Sequence, residues 1–308
     1  MLRGSEDSGR CTLVTGASGL LGLNLALTSR GTDRVVLGVH RRVVTVRGCE
    51  SVRLELGDRA AVRELLRQVR PTRVIHAAGL ADVEGCEAEP ARAFADNVLA
   101  AEHVATACAA EGVQLVHIST DHLFHGNRSM VDEHERVAPV NEYGRTKAEA
   151  ESRVLAACPN ALVVRTNFFG WGPVWRRSFS DFVIDSCRAG RPFNAWTDVY
   201  HTPISIPALA TAINELLSCR ARGVFHVVGD ERISKYDLAM LIVHHLRLEG
   251  SLVRPALAAE VKGRVARPMD MSLSNRRLCE TLGRGIGGAH DMVRDLGARA
   301  PAEIEALQ

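Results

Sequence analysis

Long apolar runs are missing from this sequence. No segment approaches the roughly 20 apolar residues that a membrane-spanning helix needs, so no membrane partner is expected. Residues 1–10 are polar and of mixed charge, without the apolar stretch of an export signal, and the chain is expected in the cytoplasm. Charge bias is missing as well. The 38 basic and 36 acidic residues leave a formal net charge of +2, which supplies no global attraction to nucleic acid or an anionic surface. No Cys-x-x-Cys pair occurs among Cys11, Cys49, Cys86, Cys108, Cys158, Cys187, Cys219 and Cys279, a scatter that suits reduced thiols better than a disulfide framework or a zinc site. No bound metal is expected. Gly/Ser-rich and Pro-rich linkers are absent too, and with them any sign that the chain divides into units that fold apart.

What is present is the composition of a globular protein with a large core: 46% hydrophobic and 24% charged residues leave no room for general disorder. The first half alternates short apolar runs with amphipathic stretches, the pattern of repeated β-α units and a parallel sheet. Strands are predicted at 11–15, 34–39, 51–56, 73–76, 113–119 and 161–165, with helices at 59–69 and, rich in alanine, at 91–110. Together these make an α/β, doubly wound sheet. Beyond about Asn167 the regularity loosens into a Gly/Trp/Arg loop (170–177), a helix near 180–189, a strand-like 200–206 and a helix at 207–219. The region from 251 on is poorly patterned apart from a terminal helix. Residues 1–166 are therefore expected to form a dinucleotide-binding domain, and 167–308 mainly a smaller substrate lobe interleaved with it.

The predicted strand at 11–15 runs directly into Gly16-Ala17-Ser18-Gly19-Leu20-Leu21-Gly22 and then a helix. Glycines at this spacing let a backbone turn tightly and approach a pyrophosphate, whose charge rests on the free amides at the helix start. The second strand ends in His40-Arg41-Arg42, where an NAD-preferring site would place an acidic residue. Two arginines there suit a 2′-phosphate, so NADPH is favoured over NADH, although both could simply be solvated. Asp58 is a candidate for the adenine amino group, and Ala77, Ala78 and Gly79 are small residues where the cofactor must pass closely.

Tyr143-Gly144-Arg145-Thr146-Lys147 puts a phenol and an ammonium one helical turn apart in a chain with only three lysines and three tyrosines. A cation near the phenol is expected to lower its pKa from about 10 by two to three units, which corresponds to roughly 3–4 kcal/mol. Such a lysine can also hold a nicotinamide ribose while the tyrosine protonates a carbonyl oxygen. Thr120, at the end of the fifth strand, is the natural third member, its hydroxyl bonded to the same oxygen. Asn97 is either an ordinary polar helix residue or a group that fixes the lysine through water. His122, His125 and His134 are spaced too irregularly for metal ligation.

With these residues in hand, the chain resembles the extended short-chain dehydrogenases/reductases, and among them the dTDP-4-dehydrorhamnose reductases. The likeness rests on Thr15–Gly22, His76-Ala77-Ala78, residues 82–87, Asn97, residues 119–126, residues 141–147, Val164-Arg165-Thr166, residues 200–204 and Arg267-Pro268-Met269-Asp270. It implies a Rossmann-type fold, a catalytic set of Thr120, Tyr143 and Lys147, and a C-terminal lobe that closes over a nucleotide sugar. Asp121, Asn167, His201 and Arg267 lie in the matched segments or beside them and are expected to face that substrate. The chain departs from the family at Asn167-Phe168-Phe169, where a tryptophan is usual, and in the loop 170–177 with its two tryptophans and two arginines. Arg176 and Arg177 could clamp a diphosphate, and Trp171 or Trp175 could stack on a base or sugar; equally, the loop could be an aromatic patch that stabilises the lobe. The activity implied is reduction of a keto group on a nucleotide-activated deoxysugar. A dehydratase would need an Asp-Glu pair where Asp121 is followed by His122. An epimerase with bound NAD(P) and a non-catalytic NADP-binding subunit, like the β subunit of methionine adenosyltransferase, remain as alternatives. Helices 91–110 and 143–157 could pair across a two-fold axis in a homodimer, and their small apolar residues would equally suit packing within one chain.

Overall fold

The computed structural model describes residues 9–297 and 302–305; residues 1–8 of the polar N-terminal segment lie outside the described residues. In chain order the strands are β1 (Cys11–Thr15), β2 (Arg34–Val39), β3 (Cys49–Arg53), β4 (Arg73–His76), β5 (Gln114–Ile118), β6 (Leu162–Arg165), β7 (Phe168–Phe169), β8 (Phe193–Trp196), β9 (Tyr200–His201), β10 (Ile204–Ser205), β11 (Gly223–His226), β12 (Ile233–Ser234) and β13 (Val253–Ala256). The helices are α1 (Leu20–Ser29), α2 (Arg59–Val69), α3 (Val83–Ala88), α4 (Pro90–Phe94), α5 (Ala100–Glu111), α6 (Glu142–Ala157), α7 (Phe179–Arg188), α8 (Ile206–Ser218), α9 (Lys235–His245), α10 (Arg276–Leu282), α11 (Ala289–Arg294) and α12 (Ala302–Glu305).

Seven strands pair in parallel in the order β11-β6-β5-β4-β1-β2-β3, a Rossmann-type doubly wound sheet. Alternation along each strand explains why the runs are apolar throughout. Leu13, Val36, Val74, Leu115 and Val163 face the layer that includes α2, α5 and α6, while Val14, Leu37, Ile75, Val116 and Val164 face the layer that includes α1 and α8. The strand order reverses between β1 and β4, which opens a crevice outside their carboxyl ends. β11 comes from the second half of the chain and extends the sheet beyond β6. Beside the sheet, β8 pairs with β13, β9 with β12 and β7 with β10, with α7 and α9 packed against each other.

Three expectations need correction. The third strand is 49–53, not 51–56, because β3 is a half-exposed edge strand and residues 54–57 turn toward the Asp58 cap of α2. The helix expected at 91–110 is interrupted by a π turn at Ala95–Leu99, which directs Asn97 into the protein. Residues 200–206 form no single strand: Pro203 separates β9, antiparallel to β12, from β10, parallel to β7.

Candidate active site

The glycine turn is built for close approach. Gly16 has φ +69°, and a Cβ there would lie 2.7 Å from Ala78 Cα; a Cβ on Gly22 would lie 2.4 Å from the Gly16 carbonyl oxygen. Gly19 bonds back to Gly16 through its amide at 2.9 Å and serves as N-cap of α1, with no side chain capping the amides that follow at Leu20, Leu21 and Gly22. The cradle and the uncapped helix start fit a dinucleotide pyrophosphate, with Ala77 and Ala78 lying against the turn and Gly79 against Asn97.

At the end of β2, His40, Arg41 and Arg42 are all exposed. His40 pairs with Glu55 at 2.7 Å. The Arg42 guanidinium lies 4.5 Å from the ring centre of Trp175, whose indole N–H donates to the Ser18 carbonyl at 2.9 Å. Asp58 is engaged as a helix cap, one carboxylate oxygen accepting from the amides of Ala60 and Ala61.

Asn97 is buried in a fixed role. Its Oδ1 accepts from the Leu80 amide at 2.7 Å, and its Nδ2 donates to the Leu80 carbonyl and to Thr146 Oγ1. It thus ties the end of β4 to α6 directly, beside Lys147. α6 starts at Asn141, whose side chain accepts from the Gly144 amide, and this start brings Tyr143 and Lys147 under the end of β5. Thr120 Oγ1 donates to Asp121 Oδ1 at 3.2 Å and accepts from the His122 amide. Asp121 Oδ2 accepts from Asn167 Nδ2.

The electrostatics differ from the expectation for the phenol. Burial pushes Tyr143 up to about 12, with Asp121 and Cys86 acting in the same direction; a hydrogen bond from Thr120 and the charge of Arg176 oppose them. Lys147 is not among the groups that move the phenol; its Nζ donates to the Ile118 carbonyl at 2.8 Å. Burial pushes Lys147 down to about 8, against the pull of Glu151 one turn on. Glu151 is itself held by Arg165 through three contacts of 2.7–3.1 Å and by Ser119, and Arg165 reaches His226 Nε2 at 3.3 Å. Under this floor His76 and His117 stack at 5.4 Å; burial and then the Lys147 charge hold His76 near 3 and His117 well below its usual value.

A cavity of about 350 Å³ opens at Asn167 and at His122, whose ring meets that of Tyr143 edge-on at 5.5 Å. Lys235, Arg264 and Arg267 line it, with Phe179 and Trp196, and no carboxylate does. Lys235 Nζ lies 5.3 Å from the Phe179 ring and Arg264 5.6 Å from the Trp196 ring. Burial pushes Lys235 down to about 8, opposed by Asp121. Arg267 meets Glu84 of α3 in a bidentate pair.

The structure therefore gathers Thr120, Asp121, Tyr143, Lys147, Asn167 and Arg267 and separates others from them. Trp171 is buried away from the cavity, its N–H bonded to the Leu296 carbonyl. Arg177 is spent on the Gly172 carbonyl of its own loop and on Asp181 and Asp185 of α7. His201 is fully buried in β9 and is not among the residues that line the cavity. Arg176 is exposed and contributes its charge to Tyr143. Sequence reasoning passes over Lys235, Trp196, Phe179 and Arg264. The only available signal is scarcity: Lys235 is one of three lysines and Trp196 one of three tryptophans.

Residues 10–289 match the family described as RmlD substrate binding domain. The dTDP-4-dehydrorhamnose reductase of Mycobacterium tuberculosis is 30% identical over 275 residues, 86% of this chain and 85% of that protein. Methionine adenosyltransferase 2 subunit beta of Xenopus laevis is also 30% identical, over 285 residues, 90% of this chain and 83% of that one. The crystal structure of dTDP-4-dehydrorhamnose reductase from Bacillus anthracis in complex with NADP superposes with a TM-score of 0.83 at 23% identity, covering 93% of this chain and 98% of the other, a likeness of fold. No helix among the described residues is long and apolar enough to cross a membrane.

Proposed function

From the premise that this chain belongs to the RmlD-type family of extended short-chain dehydrogenases/reductases, we propose that it is an NADPH-dependent reductase of a keto group on a nucleotide-activated deoxysugar. The observation that carries the reading is the cavity lined by Lys235, Arg264 and Arg267, which opens at His122, itself packed edge-on against the Tyr143 ring. A diphosphate bridging a base and a sugar meets its charge there, and Trp196 and Phe179 offer flat faces for the base.

Bound NADPH supplies the hydride. The residues of the chain do the rest. The amides at Leu20 and Leu21 and the turn at Gly16 hold the pyrophosphate, Arg41 and Arg42 the 2′-phosphate, and Lys147 the nicotinamide ribose. Thr120 Oγ1 and the Tyr143 hydroxyl hold the keto oxygen, and Tyr143 gives that oxygen its proton as the carbon is reduced to an alcohol. With its pKa pushed up to about 12, Tyr143 is fully protonated at neutral pH and stands ready as the acid. Residues 1–166 then supply most of the cofactor grip and 167–308 most of the substrate grip. A homodimer through α5 and α6 belongs to the same reading.

The test is NADPH consumption at 340 nm with nucleotide-linked 4-keto-6-deoxy sugars, with NADH in parallel. Turnover selective for NADPH is expected, and Tyr143→Phe should lower kcat by about 100-fold to 10,000-fold while leaving NADP+ binding near that of the wild type. The likeness to the methionine adenosyltransferase β subunit favours a second reading, an NADP-binding subunit without turnover. Tight NADP+ binding with no turnover on any sugar would turn the assignment to it.

A further inference from the structure

The loop between β7 and α7 is held in a single shape. Ser178 Oγ and Ser180 Oγ both donate to the Gly170 carbonyl, the Gly172 amide donates to Asp181 Oδ2 at 2.8 Å, and a Cβ on Gly172 would lie 2.3 Å from the Arg176 carbonyl oxygen. Asn24 of α1 pins the loop from outside by donating to the Trp171 carbonyl at 2.9 Å. The loop so fixed delivers Trp175 to two places at once: its N–H reaches the Ser18 carbonyl in the glycine turn, and its ring lies against the Arg42 guanidinium. Of the three basic residues that end β2, His40 is occupied by Glu55, whereas Arg42 has no carboxylate partner among the described residues.

We propose that Trp175 and Arg42 form a clasp that reads the 2′-phosphate of the cofactor, with Trp175 the specificity-determining residue contributed by the opposite lobe. The proposal rests on the reading of this site as an NADPH site. A guanidinium stacked on an indole is held flat and keeps its in-plane N–H groups available, the geometry that meets a phosphate with two parallel bonds. Without the ring, Arg42 is an exposed side chain that must lose its rotamer freedom each time it binds. The bond to Ser18 fixes the ring against the segment that would hold the pyrophosphate, so stacking and phosphate recognition share one frame.

The test is equilibrium binding of NADP+ and NAD+ to the full chain by calorimetry, which needs no sugar substrate. Trp175→Ala should weaken NADP+ by about fivefold, the upper end of an exposed cation–π contact, and NAD+ by less than about twofold. Trp175→Phe keeps a ring under Arg42, loses the bond to Ser18, and should fall between. Arg42→Ala should weaken NADP+ alone, and the double variant Arg42→Ala/Trp175→Ala should be no worse than Arg42→Ala, since the tryptophan acts through the arginine. Equal weakening of both cofactors, no weakening of either, or losses that multiply in the double variant would each overturn the clasp. A wild-type chain that binds neither dinucleotide would instead overturn the cofactor reading beneath it.

Discussion

The Lys147 ammonium is the group whose titration should be most visible in the activity, because burial places it near 8 instead of 10.5. At pH 7 about nine-tenths of the enzyme carries the charge, and at pH 9 about one-tenth, so any step that needs the ammonium should slow about tenfold across that interval. Stability should move the other way. The folded pKa lies below the unfolded one, so between pH 8 and 10.5 the unfolded chain binds the extra proton and stability rises with pH. Lys147 and Lys235, both near 8, should each add about 1 kcal/mol between pH 8 and 9. Above pH 9 the buried thiols oppose them, Cys86 near 11 among them. A pH–rate profile from 6.5 to 9 beside thermal melts at the same pH values separates loss of charge from loss of fold. Lys147→Arg, whose cation does not titrate in this range, should have a lower plateau and no alkaline limb. Because Lys235 also lies near 8, the profile is read as kcat at saturating nucleotide sugar, where its effect on binding drops out; a wild-type kcat flat to pH 9, or the same limb in Lys147→Arg, would refute the assignment of the limb to Lys147.

Two other groups of residues give predictions of different kinds. Lys235→Met removes one of the three cations of the substrate cavity and should raise the KM for a nucleotide sugar by about tenfold or more, with NADP+ affinity within twofold of wild type; steady-state kinetics and calorimetry decide it. His76 and His226, both held near 3 by burial, should each cost about 1.4 kcal/mol of stability when the pH falls from 7.5 to 5.5, because the unfolded chain then binds protons that the folded chain refuses. Together they should lower Tm by about 4 °C, given an unfolding entropy of about 2.1 cal/mol/K per residue over a chain of this length. For His226 a second cause adds to burial: its Nδ1 faces the Ser274 carbonyl and its Nε2 faces Arg165, so a second ring proton would point at a guanidinium. A Tm unchanged within 2 °C would show that these rings are not buried neutral.

The glycine turn and the Tyr143–Lys147 pair can be read in the sequence because each lies within a few consecutive residues, where spacing alone sets the geometry. The same holds for β1, β2 and β4, whose apolar runs are bounded by charged or small residues. The substrate cavity is different. Phe179 comes from α7, Trp196 from β8, Lys235 from α9 and Arg264 from the segment after β13, and they meet only once these elements pack. No periodicity within any one of them marks the meeting. The loop 170–177 shows how near neighbours part company: in one short turn Trp171 enters the core, Trp175 faces the glycine turn, Arg176 contributes charge to Tyr143 and Arg177 folds back onto Asp181. Composition alone makes the four look like one binding surface.

The phenol carries the argument a step further. Sequence spacing predicts a tyrosine made more acidic by its lysine, yet Lys147 points at the Ile118 carbonyl and Tyr143 is held above its usual pKa. A phenol lowered toward neutrality would spend part of its time as phenolate, the form needed to take a proton from an alcohol. One raised to about 12 is almost wholly the acid, the form needed to give a proton to a forming alkoxide. Burial is the largest cause of that rise; the hydrogen bond from Thr120 works against it and the neighbouring Asp121 adds to it. By microscopic reversibility the same phenol gives its proton in reduction and takes it back in alcohol oxidation, so the raised pKa marks Tyr143 as the acid of the reductive step and does not fix the direction of the reaction.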